Sequence, residues 1–126
     1  MKSDMAVPAG SGDDSGTLHG QAGSPGVVRG NARIVNTLAE AGKLQPGDVL
    51  VAETTMPPWT PLFGIAAAVV TDTGGVLSHC AVVAREYGIP AVVGTGRGTK
   101  TFHDGQLLEV DGDAGTVRIV LSPSET

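Results

Sequence analysis

The stretch AAAVVTDTGGVLSHCAVVAREYGIPAVV, residues 66–93, combines two apolar runs with a helical pattern between them. Residues 66–71 predict a fully buried strand, and residues 91–93 predict a second, shorter one. Between them, apolar residues recur at i, i+3, i+4 and i+7, which predicts an amphipathic helix over residues 79–87 that ends before Pro90. The stripe comprises Cys80, Val83, Ala84 and Tyr87. Buried strands on either side of a helix indicate parallel pairing through a right-handed crossover.

The start of this helix carries the chemical signal. Ser78 is a good N-cap, which makes His79 the first helical residue. Helix N-termini carry unpaired N–H donors and a partial positive charge, and phosphate binds there. The preceding Gly74 and Gly75 let backbone amides approach a ligand closely. The positive helix end should keep the imidazole of His79 neutral, so the pattern predicts a nucleophile beside a phosphate site.

Neighbouring side chains have narrower expectations. Ser78 is interpreted as a cap and a hydrogen-bond donor to phosphate, because adjacent side chains diverge on a helix and cannot form a nucleophile–base pair. Thr73 is a candidate phosphate contact or an ordinary hydroxyl at the end of a strand. Val82 shares the face of His79 and either docks a partner or is simply half buried. Arg85 either reaches a partner or supports the fold through Glu86 or Asp72.

Composition excludes several function classes. The 126 residues carry a net charge of −5, and the eight basic residues are scattered, so a nucleic-acid surface is not expected. Cys80 is the single cysteine, which excludes an internal disulfide and a zinc knuckle and favours a cytoplasmic protein. Asp111 and Asp113 resemble part of a calcium loop whose remaining ligands are missing. No intrinsic metal or cofactor is therefore expected.

The rest of the chain predicts a compact mixed sheet with flanking helices, an α/β domain. Residues 1–18 read as a disordered tail or linker, residues 19–122 as the folded domain, and residues 123–126 as a C-terminal tail. His19 and His103 have no predicted chemical role. The remaining predicted elements are a strand at 27–35, a strand at 49–51, a proline-rich loop at 54–64 with a short helix starting near Pro61, a loop at 94–98, and a hairpin of 107–110 with 116–120.

The motifs also resemble a known family. TDTGGVLSHCAVVAREYGIPAVVGT, residues 71–95, is similar to the signature of the phosphohistidine, or swivelling, domain of phosphoenolpyruvate-utilising enzymes. Members include pyruvate phosphate dikinase, phosphoenolpyruvate synthase and rifampicin phosphotransferase. The resemblance runs from about residue 20 to residue 120 and extends to four further segments: SPG at 24–26, GDVLVAETT at 47–55, PPWTPLF at 57–63 and DGQLLEVDG at 104–112.

The resemblance implies a swivelling β/β/α domain that carries a phosphoryl group on His79, at Nε2. It implies partner domains, in cis or in trans: an ATP-grasp nucleotide domain and a phosphoenolpyruvate/pyruvate or other acceptor domain. Mg²⁺ with ATP or phosphoenolpyruvate would be held there, so this chain should be inactive alone. Two alternatives stay open: a non-catalytic binding or regulatory module, and the lid of a dehydratase-type enzyme. Leu77 stands where several relatives have a hydroxyl residue, so any tuning by that group is absent.

Overall fold

The computed structural model describes residues 17–120. They form eight strands, two 3₁₀ helices and two α-helices. The strands are β1 (Thr17–His19), β2 (Gln21–Ser24), β3 (Val27–Ile34), β4 (Val49–Ala52), β5 (Ala68–Thr71), β6 (Ala91–Val93), β7 (Leu107–Asp111) and β8 (Thr116–Ile119). The helices are the 3₁₀ segments Leu38–Lys43 and Pro57–Gly64, α1 (His79–Tyr87) and α2 (Gly98–Thr101).

The strands of residues 17–120 form one mixed sheet in the order β1-β8-β7-β3-β4-β5-β6-β2. Strands β3, β4, β5 and β6 are parallel neighbours, whereas β7, β8, β1 and β2 pair in antiparallel fashion. The parallel pairing of β5 with β6 around α1 confirms the interpretation of residues 66–93. The carboxyl ends of parallel strands meet at one edge of a sheet, where ligands bind in open α/β folds. The segments that follow β4, β5 and β6 therefore converge there.

Alternate side chains of the central strands enter two separate apolar layers. In β4, Val49 and Val51 face one layer while Leu50 and Ala52 face the other. One layer is filled by side chains of the sheet together with Phe102. The other lies between the sheet, α1 and the Pro57–Gly64 helix, and it includes Trp59 and Phe63. Burial on both faces explains why these strands are continuous apolar runs instead of alternating ones.

The two edges of the sheet are joined by a single residue. Strand β1 pairs with β8 at one edge, β2 pairs with β6 at the other, and only Gly20 separates β1 from β2 along the chain. The amide of Gly20 donates to the carbonyl oxygen of Gly115 at 2.8 Å. The sheet therefore curls so far that its two edge strands, β1 and β2, are joined by one residue. This curl covers strand edges that would otherwise be exposed.

Several predicted boundaries need correction. Thr17 and Leu18, assigned to the N-terminal tail, form strand β1, and Leu18 is buried in the core. The short helix expected near Pro61 begins at Pro57, because proline fits the first turn of a helix. Gly98 begins α2 instead of ending a loop. The strand at 27–35, the strands beginning at residues 49 and 91, helix 79–87 and the hairpin are confirmed within a residue or so.

The strand predicted over residues 66–71 begins at Ala68, two residues late. The remainder of the N-terminal tail, residues 1–16, and the C-terminal tail lie outside the described residues. Within residues 17–120, no helix is both long enough and apolar enough to cross a membrane.

Candidate functional site

Helix α1 begins as its sequence predicts. Ser78 has extended backbone angles, and its Oγ accepts a hydrogen bond from the amide of Ala81 at 3.4 Å. This confirms Ser78 as the N-cap and His79 as the first helical residue. Accepting this bond does not use the hydroxyl proton of Ser78, which stays able to donate. The amides of His79 and Cys80 lie in the first turn, so no carbonyl of the helix can accept from them.

The glycine pair shapes the loop before the helix. Gly74 has a φ of +106°, a conformation that side chains rarely adopt, and an added Cβ would lie 3.1 Å from Oγ of Ser78. The carbonyl oxygen of Gly75 accepts from the amide of Ser78 at 2.9 Å, which closes the turn into the helix. The two glycines therefore allow the backbone to pass close to the N-cap side chain.

The imidazole of His79 is half buried and held from two sides. Its Nδ1 lies 3.1 Å from Oγ1 of Thr55, in the segment that follows β4. Its ring meets Phe63 edge-on, with centroids 6.3 Å apart and planes at 89°. These contacts fix the ring orientation, and because Nδ1 is engaged, Nε2 is the nitrogen available for chemistry.

Behind the histidine lies a buried polar cluster. The Cys80 thiol and the Thr55 and Thr71 side chains are all buried, and Thr71 donates to the carbonyl oxygen of Thr73 at 2.8 Å. Burial raises the pKa of Cys80 to about 12, although the hydroxyls of Thr55 and Thr71 lower it in part. The thiol is thus protonated and unreactive at neutral pH, as expected for a core residue rather than a redox centre.

Thr73 and Arg85 are both engaged with the backbone. The amide and the hydroxyl of Thr73 donate to the carbonyl oxygen of Glu53, so its hydroxyl proton is already used within the fold. Arg85 pairs with neither Glu86 nor Asp72. Its guanidinium donates to the carbonyl oxygen of Gly23 and, at 2.9 Å, to that of Val76. It therefore ties the loop before α1 to strand β2, which is the supporting role of the two predicted alternatives.

An exposed apolar rim, consisting of Val76, Leu77 and Val82, lies around the start of α1. Leu77 is 85% exposed and Val82 is 37% exposed. Val82 is thus only partly exposed, which fits simple half burial as well as docking. Isolated exposed apolar residues are ordinary, but three at the start of one helix form a patch that another surface can cover.

The glycine-rich segment that follows β6 contacts the end of β5 and the loop before α1. Asp72 accepts from both the amide and the hydroxyl of Thr99, at 2.9 and 2.6 Å. The amide and hydroxyl of Thr95 both donate to the carbonyl oxygen of Thr71. Gly94 passes so close that an added Cβ would lie 2.8 Å from the carbonyl oxygen of Gly74. The segment at residues 94–99, GTGRGT, therefore stabilises the loop that contains the two glycines.

The segments that form this site also identify the protein family to which the chain belongs. Residues 44–115, more than half of the chain, match the family model described as "PEP-utilising enzyme, mobile domain". The chain belongs to this family. The match covers Thr55, the glycine pair and His79, the groups that the structure brings together.

The mobile domain is similar to parts of much longer proteins. It is 55% identical over 108 residues to chondramide synthase of Chondromyces crocatus, covering 86% of this chain and 3% of that protein. It is 50% identical over 101 residues to phosphoenolpyruvate synthase of Aeropyrum pernix, covering 79% and 12%. It is 47% identical over 105 residues to rifampicin phosphotransferase of Streptomyces sviceus, covering 83% and 12%. The chain thus spans a small fraction of each relative's length.

Solved structures share its fold. A solution structure of Enzyme I is 34% identical with a TM-score of 0.57, over 67% of this chain and 35% of that one. A crystal structure of aconitase X from Thermococcus kodakaraensis has a TM-score of 0.62 but is 16% identical, over 83% and 98%. The second similarity concerns the fold alone.

Sequence reasoning missed two residues of the mobile-domain site, Thr55 and Phe63. Thr55 follows strand β4, and His79 follows the neighbouring parallel strand β5 across the loop at 72–78. That both segments leave the same edge of the sheet was the signal that could have found Thr55. Among residues 17–120, no three His, Cys, Asp or Glu side chains lie close enough together to hold a metal ion.

Proposed function

We propose that this mobile domain is a phosphoryl carrier in which Nε2 of His79 accepts a phosphoryl group at one site and releases it at another. The observation that supports this role most directly is the ring itself. It is half buried at the first position of α1, with Nδ1 engaged by Thr55 and Nε2 left available. The amides of the first helical turn and the hydroxyl of Ser78 are donors suited to phosphate oxygens.

The transfer proceeds in two displacements. The lone pair of Nε2 attacks the phosphorus of ATP or phosphoenolpyruvate, an N–P bond forms, and the donor's P–O bond breaks with its electron pair going to the departing oxygen. In the second step an acceptor oxygen attacks the same phosphorus, and the N–P pair returns to Nε2. The oxygen of Thr55, facing Nδ1, stabilises the positive charge that the ring carries while phosphorylated.

The donor and acceptor sites belong, in this proposal, to partner domains. We propose an ATP-grasp nucleotide domain and a phosphoenolpyruvate/pyruvate or other acceptor domain, with Mg²⁺ held on them, as the resemblance implies. The exposed apolar rim supports alternate docking, since its residues precede and follow, along the chain, the histidine that must enter each site. The chain alone is then inactive as an enzyme. A cytoplasmic location fits the single reduced thiol.

The test uses two phosphoryl donors. Phosphoramidate, a small donor that needs no partner, should add one phosphoryl group to the 126-residue chain, visible by intact mass and removed by acid. The modification should be absent in His79→Ala and retained in His19→Ala and His103→Ala, which are matched controls. ATP or phosphoenolpyruvate should act only with a partner present. Labelling at His19 or His103 instead of His79, in a folded chain, would exclude the carrier role.

The two alternatives make different predictions. A non-catalytic binding module, or the lid of a dehydratase-type enzyme, needs no phosphoryl acceptor and would function equally well with His79→Ala. The similarity to aconitase X concerns the fold alone and does not favour the second of them.

A further inference from the structure

The turn that leads into α1 is held by an arginine from the helix itself. Residues 75–78 form a β-turn in which the amide of the last residue donates to the carbonyl oxygen of the first at 2.9 Å. Arg85 donates to the carbonyl oxygen of Val76 at 2.9 Å and to that of Gly23 in strand β2. The planar guanidinium presents several donors in a fixed arrangement, so one side chain can hold two carbonyl groups at once.

The bond from Arg85 fixes the orientation of the central peptide of this turn, which joins Val76 to Leu77. A β-turn can hold its central peptide in two opposite orientations, and the type II orientation requires a positive φ at the third residue. The third residue is Leu77, and within residues 17–120 only glycines have a positive φ. Packing contributes little, since the Val76 and Leu77 side chains are 45% and 85% exposed. The hydrogen bond to the Val76 carbonyl therefore holds this peptide in one of the two orientations.

The amide on the other side of the same peptide has no partner within residues 17–120. In a trans peptide the C=O and the N–H point in opposite directions, so the N–H of Leu77 points away from Arg85. Six residues separate His79 from Arg85 along α1, so their side chains leave the helix about 120° apart. An N–H that points away from the flank of Arg85 is available to a group bound at His79.

We propose that Arg85 is a positioning residue of the phosphoryl site: by holding the Val76 carbonyl, it turns the N–H of Leu77 toward a phosphoryl oxygen carried on His79. The inference rests on the proposed function, because this N–H needs the phosphoryl group as its acceptor. Arg85 acts through the backbone and does not touch the phosphoryl group. A hydrogen bond to a charged oxygen is stronger than one to a neutral acceptor, so the loss of this single donor is measurable.

The test locates the hydrogen bond directly. The ¹⁵N-labelled 126-residue chain is phosphorylated with phosphoramidate, and a long-range ³¹P–¹H correlation experiment detects amide protons that are hydrogen-bonded to oxygens of the phosphoryl group. The wild-type chain should show a cross-peak between the phosphorus and the Leu77 amide proton. In Arg85→Met this cross-peak should disappear, and the rate constant for phosphorylation should fall about tenfold, the effect of losing one hydrogen bond to a charged group.

Two variants separate this role from a general loss of stability. Arg118→Met removes an exposed arginine that contacts Glu109 at 2.9 Å on the hairpin, and it should keep both the cross-peak and the wild-type rate. Arg85→Lys keeps a cation that can hold one of the two carbonyl groups but not both, so its rate should lie between those of the wild type and Arg85→Met. Each variant is compared at a temperature where circular dichroism shows that it is folded.

The proposal is overturned if the phosphorylated wild-type chain shows no cross-peak at Leu77, or if folded Arg85→Met is phosphorylated as fast as Arg118→Met. The wild-type spectrum decides the first point even where Arg85→Met does not fold. These outcomes differ from a failure of the proposed function. A folded chain in which His79 takes up no phosphoryl group contradicts the carrier role and this inference together. A phosphorylated His79 with an uncoupled Leu77 amide contradicts the inference alone.

Discussion

The Cys80 thiol shows how one side chain next to the proposed phosphoryl acceptor is kept inert. It follows His79 directly, yet a helix turns adjacent side chains about 100° apart, so His79 faces the site while Cys80 faces the core. Burial of the thiol outweighs the effect of the Thr55 and Thr71 hydroxyls, and the pKa of Cys80 is raised to about 12. A neutral thiol acts as a small apolar group with a weak donor, which suits its place between Thr55 and Thr71.

Folded chains should therefore resist thiol reagents. At pH 8, iodoacetamide should label native Cys80 at least about a hundredfold more slowly than the urea-unfolded chain, because far less thiolate is present. The raised pKa also means that the unfolded chain loses this proton first as pH rises. Cys80 thus contributes stability that is complete below pH 9 and declines between about pH 9 and 12. Rapid labelling of a chain shown to be folded by circular dichroism would contradict the burial argument.

The sequence predicts individual residues where local rules decide their place. Ser78 and His79 were found because capping and helical periodicity are properties of adjacent residues. The contact between Thr55 and His79 joins residues 24 apart, and it depends on β4 and β5 being neighbours in the sheet. The sequence alone does not decide the role of Arg85 for the same reason, since its acceptor Gly23 lies 62 residues away.

At the scale of elements, helix α1 was predicted to the residue and the 3₁₀ segment at Pro57–Gly64 was not. Helix α1 has a cap, an apolar stripe and a stop at Gly88, whose φ of +72° suits glycine. The other segment contains three prolines. Proline has no backbone N–H to donate within a helix, so these residues argue against an α-helix. The shorter 3₁₀ pattern is favoured by packing instead, since Trp59, Leu62 and Phe63 are buried.

Arg85 connects α1 to both the preceding loop and strand β2, so Arg85→Met should loosen all three. Methionine keeps most of the apolar stem and removes both hydrogen bonds. We expect the free energy of unfolding to fall by about 1–2 kcal/mol. Hydrogen bonds from a charged donor can contribute more than this, but the exposure of Arg85 to solvent reduces their contribution. Hydrogen exchange in residues 73–78 should accelerate more than in strand β4.

The matched control for this change is Arg118→Met. Arg118 contacts Glu109 at 2.9 Å on the exposed face of the hairpin, and a surface ion pair contributes at most about 1 kcal/mol. Equal losses of stability in the two variants, with unchanged exchange in residues 73–78, would show that Arg85 does not hold the loop.

At the scale of the whole molecule, the N-terminal strands were the part that sequence patterns described least well. Strand β1 has three residues and β2 has four, with glycine between and within them, so neither shows a usable periodicity. They form because β8 and β6 present edges that need partners. Their existence is a property of the curled sheet and cannot be read from residues 17–24 alone.

The closure of the sheet requires a backbone without side chains at Gly112, and this gives a test of the whole architecture. Gly112 donates to the carbonyl oxygen of Gly26 at 2.7 Å, which brings the end of β7 against the link between β2 and β3. An added Cβ would overlap the carbonyl oxygen of Ser24 and lie 3.3 Å from the amide nitrogen of Ala91. All of these neighbours are backbone atoms, which cannot rotate away as a side chain would. Gly112→Ala should therefore lower the free energy of unfolding by at least about 2 kcal/mol in urea titrations.

Gly42→Ala is the control that separates this effect from the general cost of replacing glycine. Gly42 lies in the exposed 3₁₀ helix, and an added Cβ would meet nothing within 4 Å. Its replacement should leave stability unchanged or raise it by about 0.4–1 kcal/mol, because the unfolded chain loses conformational freedom. If Gly112→Ala were as stable as Gly42→Ala, the close approach of β7 to the β2–β3 link would be absent in solution. The sheet would then be open at this seam, and β2 would have to be held by β6 and by the hydrogen bond from Arg85.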